Sequence, residues 1–332
     1  MKAWRIKEAG VLEQYETRLR RSSGQIKVRL SAVALSETDL MFYKGVKGAQ
    51  YPIIPAHSAA GFISEADEDS GFKLGARVVV SPFLNGRNPK NNGAPYCEGV
   101  FGIDRDGFLS DFIVVPEDNV YALPEGVTAD EAVFVDYIAL GNEVFESFDF
   151  KKGDYILIAG ASTFSIIVAQ LAIYYQMVPI LVDDRSDKLS LAEDLGVYYT
   201  INYEKEDLPK RLNEITGGRL CDFAIFEPRD IPFSIVLENA KEGSTILVAG
   251  YYNGNTSFEA DMVSILKKEI TIRGVANGAN QISSAINLLA NKVIVTDGLI
   301  TKKLDFEDVE KAFKEWSEEP RTYGKMVVKF NL

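Results

Sequence analysis

Histidine is nearly absent: His57 is the only one in the 332-residue chain. Cysteine is almost as scarce. Cys97 and Cys221 stand far apart, with no C-x-x-C spacing, so no thiolate metal cluster is available and a reducing compartment is expected. Both cysteines read as packing residues, not nucleophiles. No apolar run approaches the ~20 residues needed to span a bilayer. The opening MKAWRIKEAG lacks the apolar core of a secretory leader. We therefore expect a cytoplasmic protein. Positive charge is also short, with 36 Lys and Arg against 48 Asp and Glu, a net charge of -12. That balance disfavours nucleic acid and anionic membrane as partners and leaves a small-molecule substrate. A Ser-His-Asp signature and a P-loop lysine motif are missing too, so hydrolase and NTPase readings fall away.

What is present is an ordinary globular composition, 46% hydrophobic and 25% charged, at a length that suggests two domains. The most informative stretch runs from Tyr155 to Asp184. An apolar run ending at Ala159 reads as a buried strand. Gly160 follows, then a small-residue turn, Ala161-Ser162-Thr163. Ile166 to Tyr174 has helical apolar spacing, and Val178 to Val182 is a second strand ending in Asp183. Strand, turn, helix, strand and acid make the first half of a dinucleotide-binding unit. The turn would deliver a pyrophosphate to unpaired N–H groups at the helix N-terminus. Asp183, about 20 residues beyond Gly160, would accept hydrogen bonds from a ribose diol. Of the usual G-x-G-x-x-G only Gly160 stands; Ser162 and Ser165 replace the other two, with Thr163 and Phe164 between them. Asp183 favours NAD, because its charge would repel a 2′-phosphate. The neighbouring Arg185 keeps NADP as the alternative.

The first 80 residues or so look strand-rich: Gln25 to Val33, Gly61 to Ile63 and Arg77 to Val80. Thr38 to Tyr43 reads as a short helix capped near Ser36 or Thr38. Ser81 to Gly107, rich in Pro, Asn and Gly, reads as an irregular surface loop. Phe108 to Val115 resumes a strand. Thr128 and Glu131 form a capping box for a helix running past Gly141 towards Phe148. After Asp184, helices and strands alternate as far as Gly274, which implies a parallel, doubly wound sheet. Gly250 ends one of those strands, where a nicotinamide would approach. Glu227 ends another; it could border the cofactor cleft, but reads first as a surface acid. A helix at Ile282 to Ala290 and a final strand at Gly324 to Phe330 close the chain.

In this order and spacing, Ser36-Glu-Thr-Asp-Leu40, Pro55-Ala-His57, Gly75-Ala-Arg-Val-Val-Val80, Val120-Tyr-Ala-Leu-Pro124 and Asp183 to Gly196 resemble the medium-chain dehydrogenase/reductase superfamily, the zinc-type alcohol and polyol dehydrogenases. The resemblance covers nearly the whole chain. It implies an α/β protein with a GroES-like β-rich catalytic domain (1–145 and 276–332) and an inserted Rossmann domain (146–275). The active site would lie in the cleft between them. It also implies a homodimer or homotetramer, pairing through Ile270 to Val275.

The departures from that pattern carry the functional expectation. Ser36 stands where the family has a cysteine zinc ligand, and His57-Ser58 where it has His-Glu. Asp136 falls at the later acidic position. One thiol, Cys97, cannot build a closed structural site. Zinc is therefore not expected. The resemblance implies that Asp39 supports His57, and the expected proton path runs from His57 through Thr38 or Ser36 to a substrate oxygen. The chain reads as an NAD(P)-dependent oxidoreductase of a small alcohol, polyol or carbonyl compound. Two alternatives stay open: a zinc-free quinone or enone reductase using NADPH, and a catalytically silent nucleotide-binding or structural protein.

Overall fold

Alternation in the first third of the chain produces paired strands that each bury one face. The computed structural model describes residues 1–46, 49–88, 94–228, 231–250, 257–320 and 324–330. Strands β1 (Lys2–Glu8) and β2 (Val11–Glu16) form an antiparallel ribbon. In β3 (Gln25–Leu35), Ile26, Val28 and Leu30 are fully buried. Helix α1 (Glu37–Lys44) starts directly after it and stops at Gly45, whose φ of 89° is left-handed. Strands β4 (Ser58–Glu65) and β5 (Arg77–Val80) follow.

Three expectations for the next stretch need correction. Ser81 to Gly107 is not structureless. It forms an antiparallel hairpin of β6 (Phe83–Asn88) and β7 (Ala94–Val100). A two-stranded hairpin satisfies its backbone groups mutually, so it needs no apolar alternation along its length. Pro89, Asn91 and Asn92 lie outside the described residues, as does the Cys97 side chain. The strand expected at Phe108 pairs only from β8 (Phe112–Pro116), because the N–H groups of Gly107 to Leu109 bond to the carbonyls of Ile54 to Ala56 instead. After β9 (Val120–Ala122), the helix capped by Thr128 is broken into α2 (Ala129–Ala132) and α3 (Val135–Glu146). Phe134, at φ -101° and ψ -3°, makes the break and buries its ring completely.

The next region alternates regularly. It runs β10 (Tyr155–Ala159), α4 (Thr163–Tyr174), β11 (Val178–Asp183), α5 (Ser186–Asp194), β12 (Tyr199–Asn202), α6 (Leu208–Thr216) and β13 (Phe223–Phe226). It continues through α7 (Phe233–Asn239), β14 (Thr245–Ala249), α8 (Met262–Lys267) and β15 (Thr271–Val275). These six strands are parallel, in the order β12-β11-β10-β13-β14-β15. The central strands read as unbroken apolar runs because helices cover both faces of the sheet. Strand order reverses between β10 and β13, and a doubly wound sheet binds its ligand at such a switch point.

The chain ends with α9 (Ile282–Ala290), β16 (Ile300–Asp305), α10 (Val309–Glu318) and β17 (Lys325–Lys329). Strand β17 returns to the first region and pairs antiparallel with β3, Met326 opposite Leu35. That completes a seven-stranded sheet, β16-β17-β3-β4-β5-β9, with β8 also on β3. The register brings Lys325 beside Ser36, from opposite ends of the sequence. Helix α3 packs on both α4 and α9 and so links the two sheets.

Candidate active site

A tightly held turn presents His57. Asp39, 1% exposed in the first turn of α1, accepts hydrogen bonds from the Ser36 N–H (2.7 Å), the Ser36 hydroxyl (3.0 Å) and the Ala56 N–H (2.7 Å). Ala56 adopts φ 75°, a strained conformation for a residue with a Cβ. Its carbonyl accepts from Phe108 N–H at 2.9 Å. Gly107 lies so close that an added Cβ would stand 2.2 Å from the Ala56 carbonyl oxygen. Asp39 therefore fixes the backbone one residue before the histidine. The support that Asp39 gives His57 thus runs through the Ala56 backbone.

The acid facing the imidazole is Asp136, in the first turn of α3, with Oδ2 3.4 Å from His57 Nε2. Ser58 donates its hydroxyl to the same Oδ2 at 2.8 Å. Lys325 completes the group: Nζ donates to Ser58 Oγ at 3.0 Å and stands 3.5 Å from Asp136 Oδ1. It also lies 3.9 Å from the Tyr137 ring centroid. All four polar residues are buried, His57 fully and Lys325 to 1% exposure.

A narrow cleft runs from Lys325 to the N-terminus of α4. Ser36, Tyr137 and Lys325 line one end; Ser162, Thr163 and Glu227 line the other. His57 lies behind this wall, its ring 6.2 Å from that of Tyr137. Thr38 is buried within α1 and is not part of the lining. Phe164 lines the cleft and meets Tyr137 edge-on, centroids 5.9 Å apart.

The nucleotide end shows what the serines do. Gly160 holds φ 99°, which glycine alone adopts without strain. Ser162 caps α4 by accepting from Ser165 N–H at 3.1 Å. Its hydroxyl donates to Glu227 Oε2 at 2.5 Å. Glu227 is therefore no surface acid: it is 5% exposed and aimed at the helix start. Asp183, 2% exposed, accepts from Ala161 N–H (2.7 Å) and Arg185 N–H (2.8 Å), with Arg185 Nε at 3.4 Å. Burial pushes the Asp183 carboxyl above its ordinary pKa, outweighing the lowering from those two N–H donors. Burial and the Arg185 charge hold the nearby Lys188 ammonium below its usual value. Gly250 follows β14 at the C-terminal end of the sheet, and the residues after it, 251–256, lie outside the described set. Burial pushes the Cys221 thiol up to about 12, in keeping with a packing residue.

Comparison with known proteins agrees with this architecture. Residues 22–125 match the alcohol dehydrogenase GroES-like domain, and residues 165–291 match the zinc-binding dehydrogenase model. The chain belongs to the medium-chain dehydrogenase/reductase superfamily. It is an alcohol dehydrogenase-like oxidoreductase. An uncharacterised zinc-type alcohol dehydrogenase-like protein of Haemophilus influenzae is 25% identical over 316 residues, 92% of each chain. Sorbitol dehydrogenase 1 of Saccharomyces cerevisiae is 25% identical, over 87% of this chain and 86% of that one. An Escherichia coli alcohol dehydrogenase solved with NADH superposes with a TM-score of 0.85 at 23% identity, covering 99% of each chain.

The family model's name raises the question of a zinc ion. Ser36 and Lys325 line the cleft, and His57, Ser58 and Asp136 are buried behind them. Catalytic zinc takes three good protein ligands and an open position. Two hydroxyls are poor donors to it, and Lys325 Nζ stands 3.5 Å from Asp136 Oδ1.

Proposed function

We propose that this oxidoreductase transfers hydride between NAD(H) and a small alcohol, polyol or carbonyl compound without zinc. The supporting observation is the cleft lined by Ser36, Tyr137 and Lys325 on one side and by the N-terminus of α4 on the other, with His57, Asp136 and Ser58 bonded or paired behind Lys325. When bound, the nicotinamide supplies the hydride chemistry; the protein binds, orients and handles the proton. The first-turn N–H groups of α4 face the pyrophosphate, beside the Gly160 bend. Asp183 is the acid of the adenosine ribose and turns one oxygen from its backbone donors to the diol. His57, held by Asp136, exchanges the proton, and Ser36 and Lys325 carry it to the substrate oxygen. The domain division, 1–145 with 276–332 around 146–275, is part of the same proposal, and puts the chemistry at the junction.

Calorimetry with NADH and NADPH, followed by turnover with alcohols, polyols and enones, tests this reading. NADH binding, with turnover of an alcohol or polyol that is lost in His57→Gln, supports it. Preference for NADPH would implicate Arg185 and Lys188 as phosphate partners and favour the enone reductase. Binding of neither cofactor overturns the proposal. Self-association through β15 belongs with it. That edge strand leaves Ile272 39% exposed, and Met262 and Leu266 of α8 are exposed too. Light scattering should show a dimer or tetramer that Ile272→Glu dissociates; a monomeric native protein refutes this part.

A further inference from the structure

The first turn of α3 sends two neighbouring side chains in different directions, because consecutive helical residues point about 100° apart. Asp136 faces His57, with Oδ2 3.4 Å from Nε2. Tyr137 borders the cleft instead and is 5% exposed. Its ring lies 6.2 Å from the His57 ring. On the other side it meets Phe164, in the first turn of α4, with centroids 5.9 Å apart and an interplanar angle of 74°. An edge-to-face pair at this separation is an attractive contact. Both rings line the cleft, so the pair bridges it from α3 to α4. The space left between the walls is about 10 Å³, room for one water.

That narrowing falls where a dinucleotide needs width. With its pyrophosphate at the N-terminus of α4, the nicotinamide must continue towards the His57 side of the cleft to meet a substrate there. Tyr137 and Phe164 stand in that interval. The two rings are not equally held. Phe164 is 2% exposed and lies in a close seam between α3 and α4: a Cβ added to Gly141 would come 2.7 Å from Leu171 Cδ1 and 3.9 Å from Phe164 Cε2. Tyr137 sits one helical turn before Gly141, where that seam meets the cleft. We propose that the Tyr137 ring is a gate on the nicotinamide half of the cleft. Shut against Phe164, it excludes the nicotinamide; it swings aside before hydride transfer. The pyrophosphate and adenosine half, at Gly160, Ser162 and Asp183, is shaped by other residues. The gate rests on the dehydrogenase reading, which puts a dinucleotide in the cleft. A shut fraction weakens the apparent affinity for a nicotinamide dinucleotide in proportion and leaves unaffected a ligand that ends at the ribose.

Calorimetry with NADH and with ADP-ribose, which has the same adenosine and pyrophosphate but no nicotinamide, tests the gate. Native protein, Tyr137→Ala and Tyr137→Phe are compared. Native protein should bind ADP-ribose at least as tightly as NADH. Tyr137→Ala should bind NADH about tenfold or more tighter than native, and ADP-ribose within about twofold of native. Tyr137→Phe keeps the ring and should match native with both ligands. A native preference for NADH, or equal NADH affinity in native and Tyr137→Ala, overturns the gate. Weaker NADH binding by Tyr137→Ala overturns it too, because the ring would then be a cofactor contact. So does a parallel gain for both ligands, which would place the effect at the pyrophosphate. A gain in Tyr137→Phe would assign the effect to the hydroxyl and reject the ring. If native protein binds neither ligand, the dehydrogenase reading falls and the gate with it; ADP-ribose binding without any Tyr137 effect removes the gate alone. Thermal unfolding confirms that each variant is folded. Should Tyr137→Ala not fold, Tyr137→Leu, which removes the ring and leaves less empty volume, is scored by the same thresholds.

Discussion

Replacing Glu227 by Gln should tighten nicotinamide binding. Glu227 follows β13, and its Oε2 lies 2.5 Å from the hydroxyl of Ser162, the N-cap of α4. The carboxylate thus lies where the helix dipole attracts anions, the same place a pyrophosphate needs. A phosphate on the first-turn N–H groups would stand roughly 6 Å from it, and at an effective dielectric near 20 that repulsion is about 3 kcal/mol per unit charge. Relaxation of Glu227 away from Ser162 recovers part of it. A residual of about 1.4–2.8 kcal/mol corresponds to a tenfold to hundredfold lower Kd for NADH. Gln keeps the shape and still accepts from Ser162. It loses only the charge–dipole attraction, so the free protein should be destabilised by about 0.3–1 kcal/mol. Calorimetric titration of both proteins with NADH at fixed salt measures the effect. Ser162→Gly is the companion variant: it removes the hydroxyl that holds Glu227 and costs only a few tenths of a kcal/mol as an N-cap, roughly. Unchanged affinity in Glu227→Gln would refute the argument. Weaker affinity would do so more sharply, since Glu227 would then be a ligand of the cofactor and not its competitor.

Other residues give independent checks. Asp39→Asn removes charge-assisted bonds at the Ser36 and Ala56 N–H groups, where Asn can satisfy only one of the two; a loss of roughly 2–3 kcal/mol in urea unfolding is expected. Turnover should fall with it, because the strained Ala56 turn sets His57; full activity at reduced stability would detach Asp39 from the site. Asp183 supplies a pH test. Its folded pKa is raised, so between its ordinary value of 3.8 and the raised value the folded chain holds the proton and the unfolded chain does not. Stability from this group is therefore lost as pH rises through that window. The stability of Asp183→Asn relative to native should climb with pH above about 4 and level off once Asp183 is ionised in the fold. A gap that narrows with rising pH contradicts the burial argument.

The parallel sheet was legible because its signal is local. Tyr155 to Ala159, Phe223 to Phe226 and the helix at Leu208 to Thr216 carry their own period and caps, and the structure has those bounds. The hairpin from Phe83 to Val100 was not, since mutual backbone pairing leaves no trace in hydrophobic spacing. The site divides along the same line. Ser36, His57 and Gly160 were visible through short motifs. Glu227 looked bland because nothing adjacent in sequence tells of Ser162, 65 residues away, whose hydroxyl it holds. Lys325 was hidden more deeply still. A lysine opening an apolar strand is an ordinary solvent-facing residue until the β17–β3 register carries it 267 residues back to Ser58. A local signal did exist: Lys325 precedes three consecutive apolar residues in a strand with no polar alternation, so both of its faces are covered and the lysine has no route to solvent. A charged residue in such a run must find a buried counter-charge. Asp136, the acid facing the lone histidine, is the one it reaches. The chemistry of this site therefore follows from the sheet that joins the two ends of the chain, and a change that shifts β17 by one residue along β3 should abolish it while leaving the parallel sheet intact.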